Sequence, residues 1–246
     1  MKIYTLTLNP AYDVHAYTEQ FAPFHENMAN ITSREAGGKG VNLSRALQSG
    51  GIENTAVIVL GKDNGQEFKE ELLSAGMQTV LLEKPGRIRE NLTLHCDHQP
   101  ETRISFSGFP VDDSLLREIA ALLDVDADTV VTFTGRVASG MSMDAVKAFL
   151  KDLRSKGARI VLDSKSFSLK DIFQVQPWLI KPNQEEISEY LGCEIANMEQ
   201  AVEKSKIFAD QGIANVMVSL GEQGALLFQG GMAILPPRRP SMLFLP

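Results

Sequence analysis

The chain has 246 residues, of which 43% are hydrophobic and 22% charged, with a formal net charge of −7 and a pI near 5.2. This composition is typical of a globular protein with a sizeable core, and its acidic balance argues against nucleic acid or an anionic membrane as the main partner. The two cysteines, Cys96 and Cys193, lie far apart. Two distant cysteines without a pairing motif are typical of a reducing compartment. The N-terminus turns polar too early for a signal peptide, and no apolar run approaches the ~20 residues of a membrane span. Together these features predict a cytoplasmic protein.

The first predicted element is a strand over residues 3–8, which alternates apolar residues with threonine and stops at Asn9-Pro10. Asp13 follows just beyond its carboxyl end, where ligands bind in open α/β sheets. Asp13 is therefore a candidate for binding sugar hydroxyls, with an exposed turn aspartate as the alternative.

The glycine-rich stretch Glu35-Ala36-Gly37-Gly38-Lys39-Gly40-Val41-Asn42 precedes an amphipathic helix that we expect to begin at Gly40 or Asn42. Glycine lets backbone N–H groups approach an anion, a helix N-terminus carries partial positive charge, and Lys39 adds a full charge. The pattern indicates a phosphate or polyol site, with a simple tight turn as the alternative. It fits neither a Walker A loop nor a dinucleotide fingerprint.

Two blocks of extended polar segments, over residues 14–24 with 31–35 and over 89–96 with 103–106, predict a small accessory sheet or lid. In a strand, Arg87, Arg89 and Asn91 would share one face, and two guanidinium groups on one face suit a phosphate. A solvated strand face is the alternative.

The sequence His95-Cys96-Asp97-His98 invites a metal-site interpretation, which we reject. Residues three apart in a strand face opposite ways, so His95 and His98 would not converge on one ion. A hairpin turn is the preferred interpretation.

The rest of the chain alternates helices with strands and predicts a doubly wound, mostly parallel sheet. We expect Asn64, the pair Asp112-Asp113, and Asn197 to cap helices. The predicted strands cover residues 55–60, 79–82, 128–133, 159–162, 178–180, 215–219 and 225–228.

Five motifs then follow one another along nearly the whole chain: Thr-Leu-Asn-Pro-Ala-Tyr-Asp (7–13), Gly-Gly-Lys-Gly-Val-Asn (37–42), Arg-x-Asn (89–91), Lys-Pro-Asn-x-x-Glu (181–186) and Val-Ser-Leu-Gly-x-x-Gly-Ala (218–225). In these motifs the chain resembles the ribokinase-like sugar kinases of the phosphofructokinase B type. It is most similar to the 1-phosphofructokinase and tagatose-6-phosphate kinase branch. The resemblance implies one ribokinase-like α/β domain over 1–246 that lacks its C-terminal part, with helices flanking the sheet and lid strands at about 14–36 and 87–107.

The resemblance also implies phosphoryl transfer from ATP with Mg²⁺, and a possible homodimer formed through the lid. Asp13, Gly38 and Asn42 would hold the sugar hydroxyls, and Lys39 and Arg89 the sugar phosphate, with support from Asn91. The implied nucleotide-binding residues are Lys181, Asn183, Ser219, Gly221 and Gly224. Glu186 would act on Mg²⁺ through water. Alone, an Asn-x-x-Glu pattern is more often a capped helix start.

The chain departs from the family in its last residues. The family's catalytic base and anion hole belong to a Gly-Ala-Gly-Asp motif, which this sequence does not contain. Residues 238–246 match nothing expected, which we interpret as a frameshift near Arg238. We therefore assign no catalytic residue and expect at best a very weak kinase. Asp163 is a substitute base without support from the sequence, and a normal turnover number would contradict this expectation.

Two further departures concern the substrate side. Arg136 lies in Thr134-Gly135-Arg136-Val137-Ala138-Ser139-Gly140, where related kinases have Ser-Gly-Ser-x-Pro-x-Gly. It would strengthen phosphate binding or change the accepted phosphate position, unless it points to solvent. Phe106 replaces a glutamate of many relatives.

Three hypotheses remain at this stage: a 1-phosphofructokinase, a tagatose-6-phosphate kinase, and a non-catalytic sugar-phosphate-binding remnant. A ribose or nucleoside kinase is disfavoured, because Lys39 and Arg89 indicate a substrate that already carries phosphate.

Overall fold

The structure is a computed structural model that describes residues 1–235. The strands are β1 (Lys2–Thr7), β2 (Ala11–Thr18), β3 (Asn30–Gly37), β4 (Thr55–Gly61), β5 (Thr79–Lys84), β6 (Arg89–Cys96), β7 (Gln99–Ser105), β8 (Thr129–Thr134), β9 (Arg159–Asp163), β10 (Leu179–Ile180), β11 (Asn215–Ser219), β12 (Ala225–Gln229) and β13 (Met232–Ile234). The helices are α1 (Lys39–Ser49), α2 (Gly65–Ser74), α3 (Ser114–Leu122), α4 (Met143–Ser155), α5 (Leu169–Val175), α6 (Gln184–Leu191) and α7 (Met198–Asp210), with a short 3₁₀ helix at Gly221–Gln223. The sequence 238–246, interpreted above as a frameshift, lies outside the described residues.

The larger sheet has nine strands in the order β13-β12-β11-β10-β9-β8-β1-β4-β5. Its strands pair in parallel from β5 to β11, and only β12 and β13 run antiparallel. Strand β4 is buried from Ala56 to Gly61, as expected for a parallel strand covered on both faces. The predicted mostly parallel α/β sheet is confirmed.

The lid is a separate sheet of four strands in the order β3-β2-β6-β7. The two blocks of extended segments do pair, through parallel strands β2 and β6. The lid strands begin at Ala11 rather than residue 14 and at Arg89 rather than residue 87, and β2 ends at Thr18 rather than residue 24. The hairpin between β6 and β7 is confirmed, with His98 in the left-handed conformation at a φ of 56°.

The prediction for the start of α1 was wrong by one to three residues. The helix begins at Lys39 because Gly38, at a φ of 113°, makes the turn directly before it. A residue with a side chain rarely adopts this conformation. Lys39 is therefore the first residue of the helix and not part of the loop.

The predicted helix caps had mixed outcomes. Asp112 Oδ1 accepts from the Ser114 N–H at 2.7 Å at the start of α3, whereas the Asn64 and Asp113 side chains are used elsewhere. The Asn64 amide pairs with both backbone groups of Ile88, and the Asp113 carboxylate accepts from the backbone and hydroxyl of Ser142. Asn197 does cap α7. Helix α5 was not predicted, although Ser168 and Asp171 form a capping box at its start.

The lid is attached to the body through contacts of Tyr12 and Arg34. The Tyr12 hydroxyl donates to the Asn64 carbonyl at 2.7 Å, and Arg34 lies over the Tyr12 ring with its Cζ 3.5 Å from the centroid. Arg34 also pairs with Glu67 of α2 at 2.6 Å. These contacts place the inner end of the lid over the carboxyl end of β1. In the part of the chain that the structure describes, no helix is long and apolar enough to cross a bilayer.

Candidate active site

A cavity of about 260 Å³ lies between the lid, the start of α1 and the carboxyl ends of β1 and β8. We call it the lid cavity. All seven residues predicted from sequence to bind the substrate line it: Asp13, Gly38, Lys39, Asn42, Arg89, Asn91 and Arg136. Thr7, Asn9, Ser105, Thr134 and Gly135 complete its wall. A cavity at the carboxyl ends of parallel strands is the usual ligand position in such folds.

The lid side of this cavity is built by neighbouring positions of two parallel strands. Asp13 of β2 lies opposite Asn91 of β6, and the Asn91 amide donates to Asp13 Oδ1 at 3.0 Å. A Cβ at Gly37 would lie 2.7 Å from Asp13 Cγ, so only glycine lets β3 pass beside this carboxylate. Asn91 Oδ1 is buried and unpaired among the described residues. The pair thus presents fixed acceptors to a hydroxylated ligand.

The body side of the cavity is the first turn of α1. No side chain caps this helix, and Gly38 turns the chain so that Lys39 begins it. A Cβ at Gly40 would lie 2.5 Å from the Leu6 carbonyl oxygen, so the first turn packs directly on the end of β1. The uncapped N–H groups and the Lys39 ammonium make this end of the helix attractive to an anion.

Lys39 shares a carboxylate with a second lysine. Its ammonium lies 2.8 Å from Asp163 Oδ1, and the Lys181 ammonium lies 3.1 Å from Asp163 Oδ2. The Asp163 side chain is only 12% exposed, at the end of β9. Each oxygen of Asp163 therefore lies beside one ammonium group, and the carboxylate joins the start of α1 to the segment before α6. The only local signal for this bridge is that its three residues lie at strand ends and at a helix start.

Two arginines face the same cavity from opposite sides. Arg89 of β6 donates through Nη1 to the Phe106 carbonyl at 3.2 Å, while its Nε is buried and unpaired among the described residues. Arg136 lies in the loop after β8 and is exposed. Burial lowers the pKa of the Arg89 guanidinium, the charge of Arg136 lowers it further, and Asp13 opposes both. Arg87, predicted to share this face, precedes the strand and is exposed.

A second cavity, of about 620 Å³, lies at the start of α6, and we call it the α6 cavity. Four of the five predicted nucleotide-binding residues line it: Asn183, Ser219, Gly221 and Gly224. Its other lining residues are Gln184, Glu185, Ser188, Glu194 and Ile195, which sequence reasoning missed. Gly221 and Gly224 have φ values of 55° and 94°, so the turn after β11 depends on glycine. Lys181, the fifth predicted residue, contacts Asp163 instead.

The Asn183 and Glu186 side chains form a reciprocal capping box at the start of α6. Asn183 Oδ1 accepts from the Glu186 N–H at 2.8 Å, and Glu186 Oε2 accepts from the Asn183 N–H at 2.9 Å. The Glu186 residue is 5% exposed, with Oε1 4.0 Å from the Lys165 ammonium. The Asn-x-x-Glu pattern therefore does cap the start of a helix, as the alternative interpretation expected. The predicted role of Glu186 toward Mg²⁺ stays a prediction.

Beside Glu186, Tyr190 closes the inner side of α6. Burial raises the pKa of the Tyr190 hydroxyl to about 12, with further contributions from the charges of Glu186 and Asp163. The hydroxyl donates to the Ser164 carbonyl at 3.3 Å. Tyr190 is therefore a protonated donor that supports the end of β9, not an anion.

A family model for pfkB family carbohydrate kinases matches residues 7–243. The chain belongs to the pfkB family of carbohydrate kinases. It is 32% identical over 227 residues to a 1-phosphofructokinase of Escherichia coli K12, covering 92% of this chain and 73% of the relative. It is 31% identical over 230 residues to a 1-phosphofructokinase of Bacillus subtilis, covering 92% and 74%. Escherichia coli phosphofructokinase-2, solved in complex with fructose-6-phosphate, superposes with a TM-score of 0.88 at 25% identity, covering 97% of this chain and 81% of that chain.

As a pfkB family member, the chain is a phosphotransferase, and its two cavities have complementary chemistry. The lid cavity combines three cationic side chains with a fixed carboxylate, which can hold an anionic polyol. The α6 cavity combines a glycine turn with a helix start. Asp163, through Lys39 and Lys181, connects the lid cavity to the strand that leads into α6.

Proposed function

We propose that this chain transfers a phosphoryl group from MgATP to a sugar phosphate, with fructose 1-phosphate as the acceptor and fructose 1,6-bisphosphate as the product. The observation that carries the proposal is the convergence of Lys39, Arg89 and Arg136 beside Asp13 in the lid cavity. Three cations suit a phosphorylated sugar, because a neutral sugar has no anionic group for them to bind. The relatives named as 1-phosphofructokinases favour fructose 1-phosphate among the sugar phosphates.

In this proposal each wall of the lid cavity has one task. Asp13, Gly38 and Asn42 hold the sugar hydroxyls, with Asn91 Oδ1 as a further acceptor. Lys39 and Arg89 hold the phosphate that the sugar already carries, next to the uncapped N–H groups of α1. Because these groups lie on both the lid and the body, a bound sugar phosphate is enclosed and its hydroxyl is oriented.

The nucleotide binds in the α6 cavity, bordered by Asn183, Ser219, Gly221 and Gly224, with Lys181 at the side nearest Asp163. Mg²⁺ supplies charge neutralisation on the transferred phosphoryl group when it is bound with ATP. The residues present fit such an ion, because Mg²⁺ keeps several waters and needs only one or two carboxylates. In this proposal Glu186 orients those waters through Oε1, while Oε2 holds the start of α6.

The expectation of a homodimer formed through the lid also stays a proposal. Exposed apolar side chains on the lid support it, namely those of Ile31, Ile104 and Phe106. Sedimentation of the purified chain over a range of concentrations tests it, and a monomer at every concentration would contradict it.

The function is tested by two measurements on the purified chain with fructose 1-phosphate, tagatose 6-phosphate and fructose 6-phosphate. One measurement is ADP release with MgATP, and the other is the thermal midpoint with each sugar phosphate alone. A ligand present at 100 times its Kd stabilises the folded state by about 2.7 kcal/mol. For a domain of this size that corresponds to a midpoint shift of roughly 5–10 °C.

We expect fructose 1-phosphate to give the largest thermal shift and the largest ADP release. A preference for tagatose 6-phosphate in both measurements would instead support the tagatose-6-phosphate kinase. A thermal shift without ADP release would support the sugar-phosphate-binding remnant, and the absence of any shift would contradict the proposed site.

A further inference from the structure

All four histidines of the chain, His15, His25, His95 and His98, lie in the lid or in the turns between its strands. Two of them meet where the two blocks of the lid join. In the sheet order β3-β2-β6-β7 this junction is the parallel pair of β2 and β6, which we call the lid seam. Histidine is the side chain that ordinarily changes charge between about pH 5 and 8. Acid in that range therefore adds histidine charge to the lid and not to the body.

His15 of β2 and His95 of β6 are hydrogen-bonded across the lid seam. His15 Nδ1 lies 2.9 Å from His95 Nε2, and the ring planes are 10° apart with their centroids at 5.2 Å. Atoms of rings stacked face to face stay about 3.5 Å apart or more, so this contact is an N–H···N hydrogen bond. Its two nitrogens share one proton, because one must donate and the other must accept.

This hydrogen bond tolerates one added proton but not two. With one, a single inner N–H still points at a neutral nitrogen, and the outer nitrogen of His95, Nδ1, lies 3.8 Å from Glu101 Oε2. With two, an N–H on each ring points at the other, no acceptor remains, and two positive charges face each other. A separated seam accepts both added protons, whereas the intact seam accepts one. Separation is therefore favoured as the pH falls.

The other charged and titratable groups around the pair are of types that ordinarily do not titrate between about pH 5 and 8. From β2, the Tyr17 hydroxyl donates to Asp97 Oδ2 at 2.9 Å, and this contact raises the pKa of Tyr17. From β7, Arg103 pairs with Glu101. The remaining groups lie toward the lid cavity, namely Asp13, Glu35, Arg89, Lys39 and Arg136. The histidine pair is thus the contact of the lid seam that acid changes.

The same face of the lid seam leads into the lid cavity. The Asn91 amide donates to Asp13 Oδ1 across the seam, two residues inward from His15 along β2. At about 3.3 Å per residue, the two contacts are roughly 7 Å apart along the strand. Both contacts join β2 to β6, so a shift of the strands at the histidine pair changes the alignment of Asp13 with Asn91.

We propose that the His15–His95 pair is a proton switch: its second added proton loosens the lid seam, and the lid cavity then binds its sugar phosphate less tightly. The effect on ligand binding rests on the proposed function, whereas the effect on the seam does not. Because the His95 side chain is 43% exposed, water screens part of the repulsion. We therefore expect a change at the low end of typical coupling between sites, roughly 5-fold.

The first test measures amide hydrogen exchange in β2 and β6 without ligand, in wild type and in the double variant His15→Asn, His95→Gln. The two amides can hydrogen-bond in place of the ring nitrogens but cannot titrate. At about pH 8 we expect equal exchange in both proteins, and at about pH 5 roughly 5-fold faster exchange in wild type. Comparison at the same pH removes the ordinary pH dependence of amide exchange. Equal exchange at both pH values would overturn the proposal.

Single variants show whether both histidines are needed. His95→Gln leaves His15 opposite an amide that can turn its oxygen toward a ring N–H, so we expect it to behave like the double variant. The controls His25→Gln and His98→Gln remove the two other histidines, which are exposed, and should behave like wild type. An acid effect that persists in His95→Gln, or that disappears in either control, would overturn the proposal.

Calorimetry with fructose 1-phosphate tests the link to the lid cavity. The phosphate of the ligand also gains a proton at about pH 6, but this change is common to wild type and the double variant. From about pH 8 to 5, we expect wild type to lose roughly 5-fold more affinity than the double variant. An equal loss would overturn the proposal and leave the proposed function intact. If fructose 1-phosphate binds neither protein while acid speeds exchange only in wild type, the substrate assignment fails and the switch in the seam stands.

Discussion

The lid cavity and the α6 cavity belong to the same carboxyl edge of one sheet, but their polar groups are in different states. In the α6 cavity, Asn183 and Glu186 satisfy each other across the start of the helix. In the lid cavity, Arg89 Nε and Asn91 Oδ1 are buried without partners among the described residues. At a capped helix start, side chains already satisfy the free backbone N–H groups, so the helix start is stable without a ligand. At an uncapped helix start that is lined with cations, a bound anion can satisfy those N–H groups. Substitutions of these polar side chains should therefore affect mainly stability at the α6 cavity and mainly binding at the lid cavity.

The largest expected effect contrasts a glycine in the first turn of α1, next to the lid cavity, with a glycine that lines the α6 cavity. A Cβ at Gly40 would meet the Leu6 carbonyl oxygen at 2.5 Å, whereas nothing lies within 4 Å of a Cβ at Gly221. We expect Gly40→Ala to lower the free energy of unfolding by about 3 kcal/mol, because backbone must move. Gly221→Ala should cost only about 1 kcal/mol, for its left-handed backbone. Urea unfolding of both variants checks this, and equal losses would contradict the close packing of α1 on β1.

The next effect contrasts the two lysines that share Asp163. Lys39→Ala removes the ammonium that lines the lid cavity, and we expect the affinity for fructose 1-phosphate to fall roughly 30-fold. Lys181→Ala removes the other ammonium from the same carboxylate and should change that affinity much less. Calorimetry on both variants measures this. Similar losses of affinity in the two variants would contradict this expectation and would mean that both lysines, coupled through Asp163, contribute to substrate binding.

A smaller effect is expected at the helix start of the α6 cavity. Asn183→Ala removes the acceptor for the Glu186 N–H and should lower the free energy of unfolding by about 1 kcal/mol, without any nucleotide present. Asn183→Ser keeps a capping oxygen and serves as the control. If the alanine variant unfolds at the same denaturant concentration as wild type, Asn183 does not stabilise the empty protein and the contrast between the cavities is wrong.

The smallest effect is confined to alkaline pH. The pKa of Tyr190 is raised to about 12 from an ordinary value of 10.0, so the folded chain binds its proton more tightly than the unfolded chain. The resulting stabilisation is complete below pH 10 and is lost as the pH rises from 10 to 12. We expect the stability difference between wild type and Tyr190→Phe to fall over that interval. Parallel unfolding curves at several pH values measure it, and a constant difference would contradict the burial of the hydroxyl.

The contrast between the cavities also explains which site residues could be predicted. Asp13 follows the end of β1 by six residues, Lys39 begins α1, and Ser219 ends β11. Parallel strands bring such positions to one edge of the sheet whatever the details of packing. Arg89 and Asn91 follow from alternation within one strand. Local pattern was therefore sufficient for Asp13, Arg89, Asn91 and the glycine-rich stretch that contains Gly38 and Lys39. The roles of Asn42 and Arg136, and of the four residues at the α6 cavity, came from the family resemblance.

Contacts set by long-range register could not be predicted in this way. His15 Nδ1 lies 2.9 Å from His95 Nε2 because β2 and β6 run in parallel, and no local pattern gives that pairing. The bridge from Asp163 to Lys39 and Lys181 likewise joins three separate strand or helix ends. Asn64 has the residue type of a helix cap, but tertiary structure recruits its amide to Ile88.

The junction between the lid and α1 has a mechanical consequence. Only Gly38 separates the last residue of β3, Gly37, from the first residue of the helix, Lys39. At this connection, a rotation of the lid relative to α1 changes the two backbone dihedrals of Gly38, and these dihedrals also set the direction in which the first N–H groups of α1 point relative to the lid. The position of the lid and the direction of the first N–H groups of α1 therefore change together. Opening the lid to release a product then withdraws the grip on its phosphate in the same movement.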